Sequence, residues 1–432
     1  MKMIWNGKPY YDHPPMGFWL MSLSYRIFGI NEFSTRFPSA ILGLLSILLI
    51  YQTAVELFKR KTIGFAAALV LGTSVWYTIR VRSGNLDSVF VFFYILTVFL
   101  ATKSAKNFKW FPFTMLAFGA LMLTKTLIGA SALILILLLN WRQFLNIKKN
   151  IPYLVVALIG FIALVYPWYY VQKKTYPDFI EHHFFNIGTR NKTLSSYFHP
   201  MLQQPLFYLH MGVRKWYYIW LASLGFLIIT FKFLRKNIFL LIVWNFIILY
   251  PFLTSKETEL WHLIPAYLPL AFIIPVGIYE VGIVAVSLSK RFKFLKKIVP
   301  NKLLQGTLIE VGMVAVFLYI AFVQTKIFYK EVFPANRYIP DDVAITKASA
   351  KYSKPIFLDD DYVPIAVFYS GKNVQPLAYL ADDQKTLAKF MTSNEKDFVV
   401  ITRNWVVDDL KSKNIEYKLL EKNNSFSILT KP

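Results

Sequence analysis

Arg80-Val81-Arg82-Ser83-Gly84-Asn85-Leu86-Asp87 runs directly into Ser88-Val89-Phe90-Val91-Phe92-Phe93-Tyr94-Ile95-Leu96-Thr97-Val98-Phe99-Leu100, setting two arginines, a Gly-Asn turn and a carboxylate against an unbroken apolar run. At about 1.5 Å of rise per residue, a helix over 86–102 comes close to crossing a hydrocarbon layer about 30 Å thick. An aspartate at such a helix start is ordinarily a cap or a partner of the helix dipole. Against that reading, charge at a membrane boundary is expensive and usually has a task, and two arginines there can grip a phosphate bidentately.

Working outward, apolar stretches of spanning or nearly spanning length recur at 33–58, 62–79, 86–102, 110–124, 126–141, 151–171, 214–231, 237–253, 261–287 and 306–328. With 56% hydrophobic residues, the chain reads as an α-helical polytopic membrane protein of about ten spans. Lys125 interrupts the region 116–139, which is either one kinked helix or two short ones. The net charge of +24 does not indicate nucleic acid, because residues 1–330 hold 34 Lys and Arg against 10 Asp and Glu while 331–432 hold 14 of each. The excess belongs to the loops of the membrane part, where positive charge sets topology. Zero cysteines exclude disulfides, thiolate metal sites and a cysteine nucleophile. No leader peptide precedes the first polar turn.

Basic clusters at Lys59-Arg60-Lys61, at Lys103, Lys106 and Lys109, at Arg142, Lys148 and Lys149, at Lys232, Arg235 and Lys236, and from Lys290 to Lys302 fall on alternate loops. Those loops are assigned to the cytoplasm. The opposite set then holds the opening turn, Arg80 to Asp87, Lys125, the loop 172–213, Ser255 to His262 and a C-terminal domain. All six histidines (His13, His182, His183, His199, His210, His262) lie in that set, which predicts one outward-facing site. From about Asn336 the composition alternates as in a small α/β domain: helices near 341–352, 363–370, 383–392 and 404–412, and strands near 355–358, 398–402, 416–420 and 426–429. The domains are thus 1–330 in the membrane and 331–432 outside it.

The opening stretch Asn6-Gly7-Lys8-Pro9-Tyr10-Tyr11-Asp12-His13-Pro14-Pro15-Met16-Gly17-Phe18-Trp19-Leu20 holds Asp12 and His13 in extended geometry before two prolines. The apolar residues after it, broken by Arg26 and Gly29, suit an interfacial helix more than a span. Lys125 is a cation inside an apolar stretch; it snorkels to the headgroups or meets a phosphate. Glu181-His182-His183 has weak metal-ligand spacing, since adjacent side chains diverge, so hydrogen bonding to a sugar or phosphate is the stronger expectation and a divalent metal the weaker. Glu280 and Glu310 are the in-span acids, without an evident cationic partner. Asp359-Asp360-Asp361 reads as a solvated loop in preference to a crevice at strand ends.

Taken together and in order, Gly7 to Leu20, Gly29-Ile30-Asn31-Glu32-Phe33-Ser34-Thr35-Arg36-Phe37-Pro38-Ser39-Ala40, Arg82 to Asp87, Leu123-Thr124-Lys125 and Glu259-Leu260-Trp261-His262-Leu263-Ile264-Pro265-Ala266-Tyr267 resemble the dolichyl- and polyprenyl-phosphate-sugar glycosyltransferases of the GT-C fold. The likeness is greatest to the bacterial aminoarabinose transferase and protein mannosyltransferase superfamily. It implies sugar transfer from an undecaprenyl-phosphate carrier to a lipid, glycan or protein acceptor on the outer face of the plasma membrane. By the resemblance, Asp12, His13 and Asp87 are the catalytic positions. It also places Lys125, Arg190, Lys256, His262 and Tyr267 at substrate-binding positions, with Lys256 the loosest match, and to these the reading of the residues adds Arg80, Arg82, His182 and His183. The resemblance fixes no cofactor and admits a divalent metal. Family members also carry, ahead of this turn, a first spanning helix and a loop with the principal catalytic aspartate. Their absence here reads as truncation or a start at an internal methionine, or else as an inactive relative.

The implied chemistry is single displacement at the anomeric carbon, with a carboxylate orienting or deprotonating the acceptor and cations stabilising the leaving phosphate. The competing readings are a transporter or flippase, which needs ionisable groups near the midplane, and a membrane assembly protein.

Overall fold

The computed structural model describes residues 3–189, 198–255, 258–289, 302–332, 340–377 and 386–432. The chain forms two compact units, one spanning Tyr11–Pro334 and the other joining Lys2–Tyr10 to Ala335–Pro432. The first ten residues, expected with the membrane part, therefore go largely with the small domain.

Seven helices among the described residues are long and apolar enough to cross a membrane: α2 (Glu32–Phe58), α5 (Asp87–Lys106), the run Thr126–Leu145 formed by α7 (Thr126–Ala130) and α8 (Ala132–Leu145), α9 (Ile147–Thr175), α12 (Lys236–Leu253), the segment Leu260–Leu288 that contains most of α13 (Tyr267–Ser289), and Gln305–Lys326 within the helix Lys302–Val332. The chain is thus a multi-pass membrane protein. The other expected spans are helical but short or broken. α3 (Lys61–Gly72) and α4 (Val75–Arg82) form one bent pair with an angle of 67°, and the apolar helices Phe108–Met122 and Lys215–Ile229 fall under spanning length. Lys125 separates two helices, α6 (Phe111–Met122) and α7. Residues 16–28 form α1 (Met16–Phe28), too short to span, as the break at Gly29 indicates. The long loop 172–213 is largely helical where described: α9 continues to Thr175, a π-helical segment covers Glu181–Thr189, and α10 covers Gln203–Val213.

α2 packs on α3 and α5, α6 on α9, and α13 on α3 and α11 (Lys215–Ile229). The core between them is aromatic: Trp216, Trp244, Tyr94 and Phe272 are fully buried, and the rings of Tyr94 and Trp244 stack with centroids 5.8 Å apart. At the α3–α4 bend the backbone loses helical partners, and in a membrane these must be replaced. Gln324 donates to the Thr73 carbonyl at 2.6 Å, and Trp216 Nε1 donates to Thr73 Oγ1 at 2.9 Å.

Three of the basic loops meet at one end of the bundle, while the cluster from Lys290 to Lys302 lies, except for Lys302, outside the described residues. Lys59, Lys103 and Lys106 share Glu56, while Arg60 donates to Glu310 at 2.7 Å. Arg235 and Lys232 hold Glu280 at 2.5 and 3.1 Å. Glu280 and Glu310 thus both have cationic partners, contrary to the sequence expectation, because loops distant in the chain meet there. Their pairing removes the two side chains on which a transport reading rested.

The small unit is a five-stranded sheet ordered β4-β3-β5-β7-β6, with β3 (Ile356–Leu358) parallel to β4 (Val374–Pro376) and β5 (Val399–Arg403), and β7 (Phe426–Thr430) antiparallel to β5 and β6 (Lys418–Lys422). β4 is absent from the sequence reading, being three residues long and ending in proline. Asp359–Asp361 follow β3 at the edge of the sheet where the chain from β3 turns one way, to β4, and the chain from the neighbouring β5 turns the other, to β6. Asp360 is nearly buried and pairs with Arg403 at 2.5 Å, lining a cleft of about 350 Å³, so a merely solvated loop is not what forms.

β1 (Ile4–Trp5) and β2 (Lys8–Pro9) form a hairpin around Asn6-Gly7, both with positive φ (49° and 76°), as a type I′ turn requires. The Asn6 side chain acts as a substitute peptide group: Nδ2 donates to the Val374 carbonyl at 2.5 Å and Oδ1 accepts from the Val374 amide at 2.7 Å.

Candidate functional site

Asp87 begins α5 and is 3% exposed, yet it is fully engaged. Lys125 Nζ donates to Oδ1 at 2.5 Å, and Arg80 donates to Oδ2 through Nε at 2.6 Å. Local sequence builds this approach. Asn85 Nδ2 donates to the Arg80 carbonyl at 2.6 Å and its Oδ1 accepts from the Asp87 amide at 2.9 Å, so one side chain ties the end of α4 to the start of α5. Gly84 allows the turn to lie on α2, since a Cβ there would sit 2.8 Å from the Thr35 carbonyl oxygen. Ser39 Oγ donates to the Asn85 carbonyl at 2.9 Å.

Lys125 is presented by the break between α6 and α7, where its backbone is extended. The same break receives the start of α1: the Met16 amide donates to the Leu123 carbonyl at 2.9 Å, while Gly17 lies against Leu86. Two prolines and a glycine at 14, 15 and 17 thus dock the turn bearing Asp12 and His13 onto both charged segments.

The long loop closes the other side. His182 Nε2 lies 2.6 Å from Asp12 Oδ1, Tyr11 donates to Asp178 at 2.8 Å, and Tyr11 stacks on Tyr176 at 4.4 Å. His183 is buried, with Nε2 2.8 Å from Thr126 Oγ1, and Thr126 in turn is 2.5 Å from the Tyr169 hydroxyl. The two adjacent histidines face different partners, and among the described residues no three His, Asp or Glu side chains form a group able to hold a metal ion. Burial, followed by the nearby Lys125 charge, depresses the His13 imidazole to a pKa of about 4, and burial depresses His183 in the same direction. Both rings are therefore neutral at pH 7.

Asp87, Lys125, Arg80, His13, Asp12, His182 and His183 come together in one cluster. Arg82 lies exposed at the end of α4, two residues beyond the arginine that reaches Asp87. His262 serves its own turn, its Nδ1 accepting from the Glu259 amide at 2.9 Å, while its neighbour Trp261 lies beneath Arg80 at 5.8 Å. Tyr267, expected to touch substrate, is fully buried against Gly212 in the helix core. His210 packs on Tyr217 and Tyr218, and His199 is exposed, so the six histidines do not make one site. Arg190 and Lys256 lie outside the described residues. Sequence reasoning missed Thr126, Tyr169 and Tyr11 as partners; a threonine beside the odd lysine, a tyrosine beside Asp12 and a tyrosine near the end of the 151–171 run were the available signals.

The cluster carries two carboxylates, Asp87 buried and Asp12 partly exposed, and two cations, with the neutral imidazoles of His13 and His183 beside them. Lys125 and Arg80, fixed by one carboxylate, can each contact a negative group at this helix boundary. Residues 12–170 match the family model described as dolichyl-phosphate-mannose-protein mannosyltransferase. An undecaprenyl phosphate-α-4-amino-4-deoxy-L-arabinose arabinosyl transferase of Pseudomonas savastanoi is 26% identical over 286 residues, 63% of this chain and 52% of that protein. The curated relatives this chain matches are covered over between 22% and 52% of their own length, the Yersinia enterocolitica counterpart over 49%. Among solved structures, ArnT of Cupriavidus metallidurans bound to undecaprenyl phosphate superposes with a TM-score of 0.69 at 14% identity, covering 99% of this chain and 89% of that one. An oligosaccharyltransferase of Archaeoglobus fulgidus gives a TM-score of 0.53 at 11% identity, covering 98% and 66%. The chain has the fold these proteins share.

Proposed function

We propose that the protein transfers a sugar from a polyprenyl-phosphate carrier to a lipid, glycan or protein acceptor at the outer face of the plasma membrane, with the small α/β unit also on that side. The observation that carries this is the pairing of Asp87 with both Lys125 and Arg80, which fixes two cations around a single buried carboxylate. The shared fold, the relatives named for an undecaprenyl phosphate-linked sugar, and the gathering of basic loops at the opposite end of the bundle support it.

In this reading the acceptor oxygen bonds to the anomeric carbon as the bond from that carbon to the phosphate oxygen breaks, the electron pair leaving with the phosphate. The phosphate's added negative charge falls beside Lys125 and Arg80 in a site of low polarity, where fixed cations act most strongly. Asp87 has no unengaged oxygen and is a positioning residue, which revises the catalytic role expected for it. The acceptor proton passes instead to the Asp12–His182 pair, whose carboxylate is partly exposed. An acceptor already ionised would need only positioning. His13, being neutral, donates or accepts a hydrogen bond and supplies no charge. A divalent metal would find two ligands in Asp12 and His182 and would need its others from substrate or water.

Sugar release from a radiolabelled polyprenyl-phosphate donor, in membranes containing the protein, tests the reading. Lys125→Ala should lower transfer about 10²- to 10³-fold, as loss of a donor to a developing oxyanion does elsewhere. Absence of transfer by the unaltered protein, or full activity of Lys125→Ala, would sink it.

A further inference from the structure

The opposite end of the bundle from this cluster holds a second built feature. A cleft of about 420 Å³ opens between the ends of α2 and α3, the start of α12 and the middle of α13. Its walls are half apolar, with Ile63, Ile238 and Val276 among them, and half polar, with Arg60, Arg235 and Lys236. We propose that this cleft binds the phosphate headgroup of an anionic membrane lipid.

The polar wall is fixed in place. Glu280, 7% exposed and within α13, anchors Arg235 and Lys232. Arg60 is held twice, by Glu310 at 2.7 Å and by stacking over the Tyr279 ring at 4.5 Å. Asn237 Nδ2 donates to the Leu57 carbonyl at 2.6 Å, joining α12 to the end of α2. Loop charge that serves only to set topology needs none of this, because the positive-inside rule depends on residue type near a helix end and not on a shaped recess. The lining holds three cations (Arg60, Arg235, Lys236) and one carboxylate (Glu280), with Lys232 and Glu310 as ion-pair partners outside it, which leaves positive charge for a ligand. Lys236 is exposed and forms no ion pair with any described residue.

The shared chemistry is a phosphate oxyanion, free or on a lipid. The apolar half of the cleft favours the lipid, since an aqueous phosphate gains nothing from Ile63 or Val276 while a glycerol backbone and upper acyl chains cover them. The proposal is independent of sugar transfer and requires only that the helices span a membrane.

Thermal unfolding of the purified full-length protein in neutral detergent tests it, with phosphatidylglycerol, phosphatidylcholine or inorganic phosphate added. Phosphatidylglycerol should raise Tm and phosphatidylcholine should not. The concentration giving half the effect should rise about fivefold in Lys236→Gln, the factor equivalent to about 1 kcal/mol per cation near a charged headgroup, and further in the Lys236→Gln/Arg60→Gln pair. Lys236→Gln breaks no side-chain hydrogen bond or ion pair to any described residue, so it keeps the comparison valid if the pair folds poorly. Equal stabilisation by phosphatidylcholine, or an unchanged half-effect concentration in Lys236→Gln, would overturn the proposal. An equal response to inorganic phosphate would overturn the assignment to a lipid.

Discussion

Asp87 holds two cations that otherwise repel one another, and its value lies in that mediation. Asp87→Ala leaves both cations without their carboxylate, a change that costs about 3–5 kcal/mol where the pair is buried; Asp87→Asn retains an acceptor and should cost less while still lowering transfer. Chemical unfolding in detergent separates the two, and equal stability of Asp87→Ala and the parent would show that the pairing is unimportant. His13 gives a pH signature. Its pKa falls from 6.5 in the unfolded chain to about 4 in the fold. The unfolded chain therefore takes up a proton that the folded one refuses between those values, so stability is complete above about pH 6.5 and declines toward pH 4. In His13→Asn, the difference in Tm between pH 7 and pH 4.5 should shrink relative to the parent. Asp87 and Lys125 were legible in the sequence as charges set against apolar runs. The Asp12–His182 contact was not, because its partners are 170 positions apart and neither has a local pattern that names the other.

Breaks in helices do much of the positioning in this protein. The α3–α4 bend aims Arg80, and the α6–α7 break presents Lys125. Gln324→Leu would strip the Thr73 carbonyl of its side-chain donor at the first of these, with an expected loss of about 1–3 kcal/mol. Gly84→Ala would drive a methyl group into the Thr35 carbonyl, forcing α2 away from the Asp87 turn at about 1–3 kcal/mol. Tm should fall in both, and Gly84→Ala should reduce transfer more than Gln324→Leu because it moves the turn itself. The spans were readable because long apolar runs have few alternatives in a membrane. The 67° bend was not, since Gly72-Thr73-Ser74 interrupts hydropathy only weakly and its stabilising partners, Trp216 and Gln324, come from far along the chain. Tyr267 misled for the opposite reason: its place in a family-like motif suggested contact with substrate, whereas the motif's aromatic ring fills the core.

In the whole molecule, the hairpin before Tyr11 belongs with the sheet near the far end of the sequence. Asn6→Ala removes both side-chain bonds to Val374 and should cost about 1–2 kcal/mol. Amide exchange should speed up in residues 3–10 and at Val374 while the helices keep their protection; unchanged exchange at Val374 would show the tie to be dispensable. The α/β composition beyond residue 340 was legible from its alternation of short strands and helices. Membership of residues 3–10 was not, because an Asn-Gly turn predicts a hairpin and says nothing of where it docks. That docking also has a time order. Asn6 and Val374 are separated by 368 positions, and at about 5–20 residues per second of synthesis the earlier segment waits on the order of 20–70 s for its partner. Residues 3–10 are thus fixed long after they are made, and a ribosome stalled before β4 would leave a chain with its membrane helices made and the strand leading to Asp12 and His13 still untied.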